Sequence, residues 1–145
     1  MPNEILEFLK GEQVGVLAVE MMGGAPHGAT VHFAHTEDPF VFYFETYREY
    51  RKCGALFGRE KSRASFVVGC DENTKKTLQL DGEVQLIKPE DKEAYDEIYF
   101  GKFPNKKEKS IDPKFVFFKF TPNWWRFTDF KHKDGKLILL STDLL

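Results

Sequence analysis

Short runs of apolar, β-branched and aromatic residues, each closed after a few positions by a turn signal, constrain this chain more than any other feature. Val14 to Glu20 is the first such run. Met22-Gly23-Gly24-Ala25-Pro26 breaks it, because paired glycines tolerate positive φ and proline cannot continue a hydrogen-bonded ladder. His27 to His35 then returns as the second arm of a hairpin, and Thr36-Glu37-Asp38-Pro39 turns the chain again. Phe40-Val41-Phe42-Tyr43-Phe44 follows, aromatic on both faces and so expected in the middle of a sheet. Ala64 to Cys70 and Thr77 to Ile87 predict two further strands around the charged turn Asp71-Glu72-Asn73. Phe115 to Thr121, Trp124 to Phe130 and Lys136 to Ser141 predict three more, linked by Pro122-Asn123 and by the Asp134-Gly135 turn. Strands joined by tight turns pair antiparallel, and about eight of them in one small domain favour closure, which removes exposed edges. The expected fold is mainly β: an antiparallel barrel with peripheral helices, formed as a single domain by residues 1–145.

Three segments carry helical periodicity instead. Asn3 to Lys10 predicts a short amphipathic helix with Asn3 as N-cap, Ile5, Leu6, Phe8 and Leu9 as its apolar residues and Gly11 as its stop. Glu49 to Gly58 repeats Tyr50, Cys53, Leu56 and Phe57 at helical spacings. Pro89 to Tyr99 begins with proline and acids and presents Ala94, Tyr95 and Ile98 as a stripe. Gly101 to Pro113, rich in Lys, Pro and Asn, reads as a loop; its stretch Lys102 to Lys109 reads as a solvated segment, with a lid folded over an open cleft as the alternative.

Composition narrows the function classes. The 15 Phe, 5 Tyr and 2 Trp suit pleated strands facing a core. A formal net charge of −2 argues against a general nucleic-acid binder, which needs a clustered excess of Lys and Arg. The longest uncharged stretch, Met21 to Thr36, is interrupted by Gly23, Gly24, Pro26 and Gly28 and falls short of the roughly 18 apolar residues of a membrane span. The segment MPNEILEFLKGE carries acids and lacks the apolar run of a signal peptide, so a cytoplasmic domain is expected. Cys53 and Cys70 form no disulfide framework or Cys-x-x-Cys pair and read as small buried hydrophobes. His27, His32 and His35 do not read as a metal site, because alternation on a strand puts His32 on the face opposite the other two.

The segment Phe42-Tyr43-Phe44-Glu45-Thr46-Tyr47-Arg48-Glu49-Tyr50-Arg51-Lys52 carries the most chemistry. A strand ends, a hydroxyl follows at its edge, and an Arg-Lys pair opens the next helix. A phosphate near Thr46 would meet a hydroxyl donor, two cations and unpaired helix N–H groups. On composition alone the solvated face of a helix is the better reading of Arg51 and Lys52, because adjacent basic residues are common.

The order and spacing of several segments tip that balance. Val14-Gly15-Val16-Leu17-Ala18, Pro26-His27-Gly28-Ala29-Thr30-Val31-His32-Phe33, Phe42-Tyr43-Phe44-Glu45-Thr46 and Tyr50-Arg51-Lys52, followed by Ala64-Ser65-Phe66-Val67-Val68 and Leu78-Gln79-Leu80-Asp81-Gly82-Glu83-Val84, resemble the pyridoxamine 5′-phosphate oxidase-like family of FMN-binding split barrels. The resemblance covers most of the first 90 residues. It implies a six-stranded split barrel that forms a homodimer, with FMN in clefts between the subunits. It implies that Arg51 and Lys52 hold the FMN phosphate, that Glu45 and Thr46 contact phosphate and flavin, and that Thr30, Val31 and His32 do so from the second strand. Thr77 occupies the position of a flavin-contacting glutamine of the true oxidases, and Trp125 is a candidate for the cleft rim.

Departures from the family pattern bear on the substrate. Tyr50 stands where Ser or Thr is usual. The Arg and Lys that true oxidases place at the ends of the second strand are replaced near Thr30 and His35. The arginine-rich C-terminal segment that engages pyridoxine phosphate has no counterpart in Leu140-Ser141-Thr142-Asp143-Leu144-Leu145. The expectation is therefore an FMN-dependent oxidoreductase acting on a small molecule other than pyridoxamine phosphate. The alternatives are a non-catalytic, stress-related FMN binder and a structural dimer with a decayed site.

Overall fold

In the computed structural model, which describes residues 1–69 and 71–141, the alternating runs form one curled antiparallel sheet. The strands are β1 (Val14–Glu20), β2 (Pro26–His32), β3 (Ala34–Glu37), β4 (Phe40–Tyr47), β5 (Ser62–Val68), β6 (Lys76–Leu86), β7 (Phe115–Asp129) and β8 (Leu137–Leu140). Their order is β2-β1-β5-β6-β7-β4-β3, with β8 pairing the far end of β7. Eight strands are thus formed among the described residues, where the family resemblance implied six.

Two joints differ from the sequence reading. The run His27 to His35 splits at Phe33, so β2 pairs β1 while β3 pairs β4. Pro122-Asn123 does not end a strand but lies inside β7. Gly82 faces Pro122 and Asp81 faces Trp124, which leaves Asn123 as the extra residue of a bulge. Proline survives there because a bulge suspends the ladder. A Cβ on Gly82 would collide with the Thr121 carbonyl and Pro122, so the close backbone approach at this corner requires glycine. The bend lets β7 pair β4 through Phe115–Phe120 and β8 through Arg126–Asp129.

Ring contacts show how far the sheet curls. Phe66 on β5 lies 5.2 Å from both Phe42 and Phe44 on β4, although β6 and β7 separate the two strands in the sheet. Phe33, Phe118 and Phe120 complete this fully buried aromatic interior. α1 (Asn3–Lys10) closes one end with Ile5, Phe8 and Leu9, and Phe8 packs 5.5 Å from Phe127. Its N-cap is Pro2, not Asn3: the Pro2 carbonyl accepts from the N–H groups of Ile5 and Leu6, and Asn3 is already helical.

The outer face of β4 is covered as well. α3 (Lys92–Lys102), entered through a 3-10 turn at Pro89–Asp91, buries Tyr95, Tyr99 and Phe100 against Ala34, Tyr43 and Phe117. Ala94, expected in that stripe, is exposed; the helix meets the sheet through the bulkier rings. The Tyr95 hydroxyl donates to the Phe44 carbonyl at 2.8 Å. α2 (Cys53–Gly58) starts four residues later than predicted, so Glu49 to Lys52 form turns before it, and Tyr50 and Phe57 are exposed. Cys53 is buried as expected, its thiol pushed up in pKa by that burial; Cys70 and residues 142–145 lie outside the described residues. No helix among the described residues is long and apolar enough to cross a membrane.

Candidate functional site

The split at Phe33 creates the site. Before it, β2 runs with β1; after it, the chain joins β4 as β3. The ends of β2 and β4 therefore lie near each other without pairing, and a cleft of about 240 Å³ opens between them. Thr30, Val31 and His32 line one wall and Glu45, Thr46 and Tyr47 the other, with Tyr50 and Lys52 added from the turn before α2.

Thr46 continues the inward stripe of Phe42 and Phe44, so period-two alternation drives its hydroxyl into the protein. Its Oγ1 is fully buried and has no hydrogen-bond partner among the described residues. Such a group ordinarily costs about 1–3 kcal/mol unless something else satisfies it. Beside it Lys52 is 4% exposed and makes no salt bridge among the described residues. Its ammonium lies 4.9 Å from the centre of the Tyr50 ring. Burial lowers the Lys52 pKa, opposed by the nearby Cys53 and Glu45 charges. Tyr50 thus offers the site an aromatic face, packed 5.2 Å from Tyr47.

The fourth wall comes from the lysine-rich stretch whose sequence suits a solvated loop or a lid. Pro104–Ile111 is a 3-10 helix, begun by a proline whose missing N–H is not needed there. Lys106 and Lys109 both reach the same oxygen of Glu45, Oε1, at 3.8 and 3.1 Å. Residues three apart eclipse on a 3-10 helix, so the spacing of these lysines was the available signal. The His32 ring stands edge-on to Phe103 at 5.6 Å. Burial first, then the Lys106 charge, lowers the His32 pKa and favours neutral imidazole. Behind this wall the Tyr99 hydroxyl is buried without a partner among the described residues, and burial and the Glu45 charge hold it protonated.

The remaining predicted residues lie elsewhere in the chain. Arg51, adjacent to Lys52 in a turn, projects to the exposed side and does not line the cleft. Thr77 belongs to a separate depression with Gly69, Lys76 and Phe130. Trp125 packs on the main core, and its backbone N–H donates to Ser141 Oγ at 2.7 Å.

This architecture recurs in known proteins. No curated protein matches the sequence. Among solved structures, a protein related to general stress protein 26 of B. subtilis (pyridoxinephosphate oxidase family), from Clostridium acetobutylicum, superposes with a TM-score of 0.69 at 15% identity, covering 99% of this chain and 96% of that one. A pyridoxamine 5′-phosphate oxidase-related, FMN-binding protein from Nostoc punctiforme gives 0.66 at 17% identity over 95% and 87%. A heme binding protein from Mycobacterium smegmatis gives 0.72 at 13% identity, covering 91% of this chain and 54% of that one. The sequence itself matches the family model for pyridoxamine 5′-phosphate oxidase over residues 1–129. The chain therefore belongs to the pyridoxamine 5′-phosphate oxidase family.

Proposed function

We propose that the cleft between β2 and β4 binds FMN through its phosphate, and that the protein is a cytoplasmic FMN-dependent oxidoreductase acting on a small molecule other than pyridoxamine phosphate. The observation that carries this reading is the buried Thr46 hydroxyl, without a hydrogen-bond partner among the described residues, in one cleft with the nearly buried Lys52, which makes no salt bridge among them. A donor and a cation left unmatched in one cleft suit an anionic oxygen cluster, and a phosphate monoester supplies one. Family membership and the likeness to an FMN-binding neighbour support flavin as the body attached to that phosphate. The free, buried Cys53 fits a reducing compartment.

In this proposal Lys52 and Thr46 hold the phosphate, with Thr30, Val31 and His32 contacting the phosphate and flavin from the opposite wall. Arg51 supports the site as a nearby surface charge. When bound, the isoalloxazine ring supplies the electron or hydride chemistry. A 240 Å³ cleft accepts the phosphate end but not a whole flavin, which supports a homodimer in which a second copy of the chain completes the site. Thr77 and Trp125, away from the cleft within one chain, are proposed as contributions to that completed site.

A purified sample tests this directly. The expected result is a yellow protein with flavin absorption, a mass well above the 16.9 kDa of one chain, and bleaching by NADH or NADPH without oxygen. A colourless protein that ignores added FMN, or one that takes up only haem with its Soret band, would defeat the reading. Bound FMN that no nicotinamide reduces would instead support the non-catalytic binder.

A further inference from the structure

The segment Pro104–Ile111 is fastened at both ends and carries Lys106 and Lys109 between those anchors. At its start Phe103 packs 5.0 Å from Tyr99, and Lys102 donates to the Glu12 carbonyl at 2.6 Å. At its end Ser110 joins Lys92 and Asp96: the Lys92 ammonium lies 2.8 Å from Ser110 Oγ, which donates to Asp96 at 2.7 Å. Between these anchors the Lys106 and Lys109 ammonium groups rest over the rings of Phe103 and Phe115, at 4.9 and 4.7 Å. Both point at the cleft, and both share one oxygen of a carboxylate whose side chain is 9% exposed.

The charges do not balance. Lys52, Lys106 and Lys109 face the cleft with Glu45 as the one carboxylate among its lining residues, and His32 is held neutral. Two positive charges are left over. A phosphate monoester carries close to two negative charges at neutral pH. One carboxylate oxygen shared between two lysines is also a poorer partner than three phosphate oxygens.

We infer that Lys106 and Lys109 are phosphate-binding residues of this cleft and that Glu45 is the internal anion with which the ligand's phosphate competes for them. The assignment rests on the reading of the cleft as a flavin phosphate site. The 3-10 segment is then part of the binding site, and Glu45 sets how tightly an anionic ligand is held.

Flavin fluorescence titrations with FMN and with riboflavin, which lacks the phosphate, test this on the full chain. Glu45→Gln should tighten FMN binding about tenfold by freeing the lysines. Adding Lys106→Gln and Lys109→Gln to that variant should weaken FMN roughly ten- to a hundredfold and leave riboflavin unchanged. The Glu45→Gln background matters, because removing the lysines alone would also strand a carboxylate beside the phosphate. FMN affinity that is unmoved by the lysine changes in that background, or that falls in parallel with riboflavin, overturns the assignment. Should Glu45→Gln not fold, K106R/K109R against K106Q/K109Q makes the same comparison: the first pair should keep FMN affinity and the second lose it, and equal affinities overturn the assignment. If the wild type binds no flavin, inorganic phosphate replaces FMN as the probe in thermal melts. Stabilisation of wild type but not of K106Q/K109Q then defeats the flavin reading while supporting the lysines as a phosphate site, and no stabilisation defeats both.

Discussion

The two halves of β4 obey the same alternation and end in opposite chemistry. Phe42 and Phe44 enter the aromatic interior of Phe33, Phe66, Phe118 and Phe120, and both are fully buried. Thr46, two residues on, is almost as buried, yet its hydroxyl has no hydrogen-bond partner among the described residues and it shares its cleft with Lys52 and Glu45. The difference teaches where this fold spends stability. At one end of the strand the inward face is filled by rings, and at the other it ends on a buried hydroxyl without a hydrogen-bond partner among the described residues.

The largest effect expected from breaking the comparison lies in the complete half. Phe44→Ala removes a ring that packs 5.0 Å from Phe118 and 5.2 Å from Phe66. It should cost about 3–5 kcal/mol in urea unfolding, because a closely packed interior relaxes only partly around the void. Loss of less than about 1 kcal/mol would show that the aromatic interior is looser than the ring distances imply.

In the open half, stability and binding should move apart. Lys52→Met replaces a nearly buried cation with an apolar side chain of similar length. The protein should melt no lower, and about 1 kcal/mol of extra stability is expected because the desolvation of an unpaired charge disappears. FMN affinity should fall about thirty- to a hundredfold, as for a lost charge-assisted hydrogen bond in a partly dry site. A variant that loses stability instead would make Lys52 a structural residue. Arg51→Ala, by contrast, should weaken FMN by only a few-fold, since an exposed charge acts through screened solvent.

The sequence made this division partly legible. Alternation in Phe40 to Phe44 announced a strand buried on both faces, and the ladder with β7 and β3 realises it. Thr46 and Lys52 are singled out in the sequence by a hydroxyl at a strand end followed by basic residues, and the structure brings both to one cleft. Local sequence does not carry the geometry that distinguishes neighbouring residues. Arg51 and Lys52 are equivalent in a list, but a turn points them to opposite sides, and only the tertiary fold decides which is inward. Phe33 and the Pro122-Asn123 pair were misread for related reasons. Strand exchange at Phe33 depends on which neighbour each half finds, and a bulge tolerates the proline that ordinarily ends a strand. Lys106 and Lys109 were hidden among many lysines, and their spacing of three becomes informative only once a 3-10 helix is known.

Thr46→Val sharpens the comparison with a smaller change. It keeps the shape and extends the apolar stripe of Phe42 and Phe44 by one position. Removing an unpaired buried hydroxyl should stabilise the protein by about 1 kcal/mol, a rise of a few degrees in Tm. FMN binding should weaken about tenfold. Were the hydroxyl satisfied within the protein, the same substitution would lower Tm, and the contrast between the two halves of β4 would collapse.

The smallest effect concerns a cation that belongs to neither half. Lys102 lies 4.2 Å from the centre of the Phe33 ring, at the rim of the aromatic interior, and donates to the Glu12 carbonyl. Burial lowers its pKa from 10.5 to about 8, with the Glu12 charge opposing. A lysine whose folded pKa is depressed binds its proton less well in the native state than in the unfolded one. The resulting penalty is fully present below pH 8 and is relieved as pH rises from about 8 to 10.5. Because the side chain is partly exposed, the effect should be about 1 kcal/mol rather than the full linkage value. Comparing urea stabilities of wild type and Lys102→Met across that window isolates it: wild type should gain on the variant as pH rises. A difference that stays flat from pH 7 to 10.5 would mean that Lys102 is as well solvated as a surface lysine, and that the cleft alone holds cations away from water.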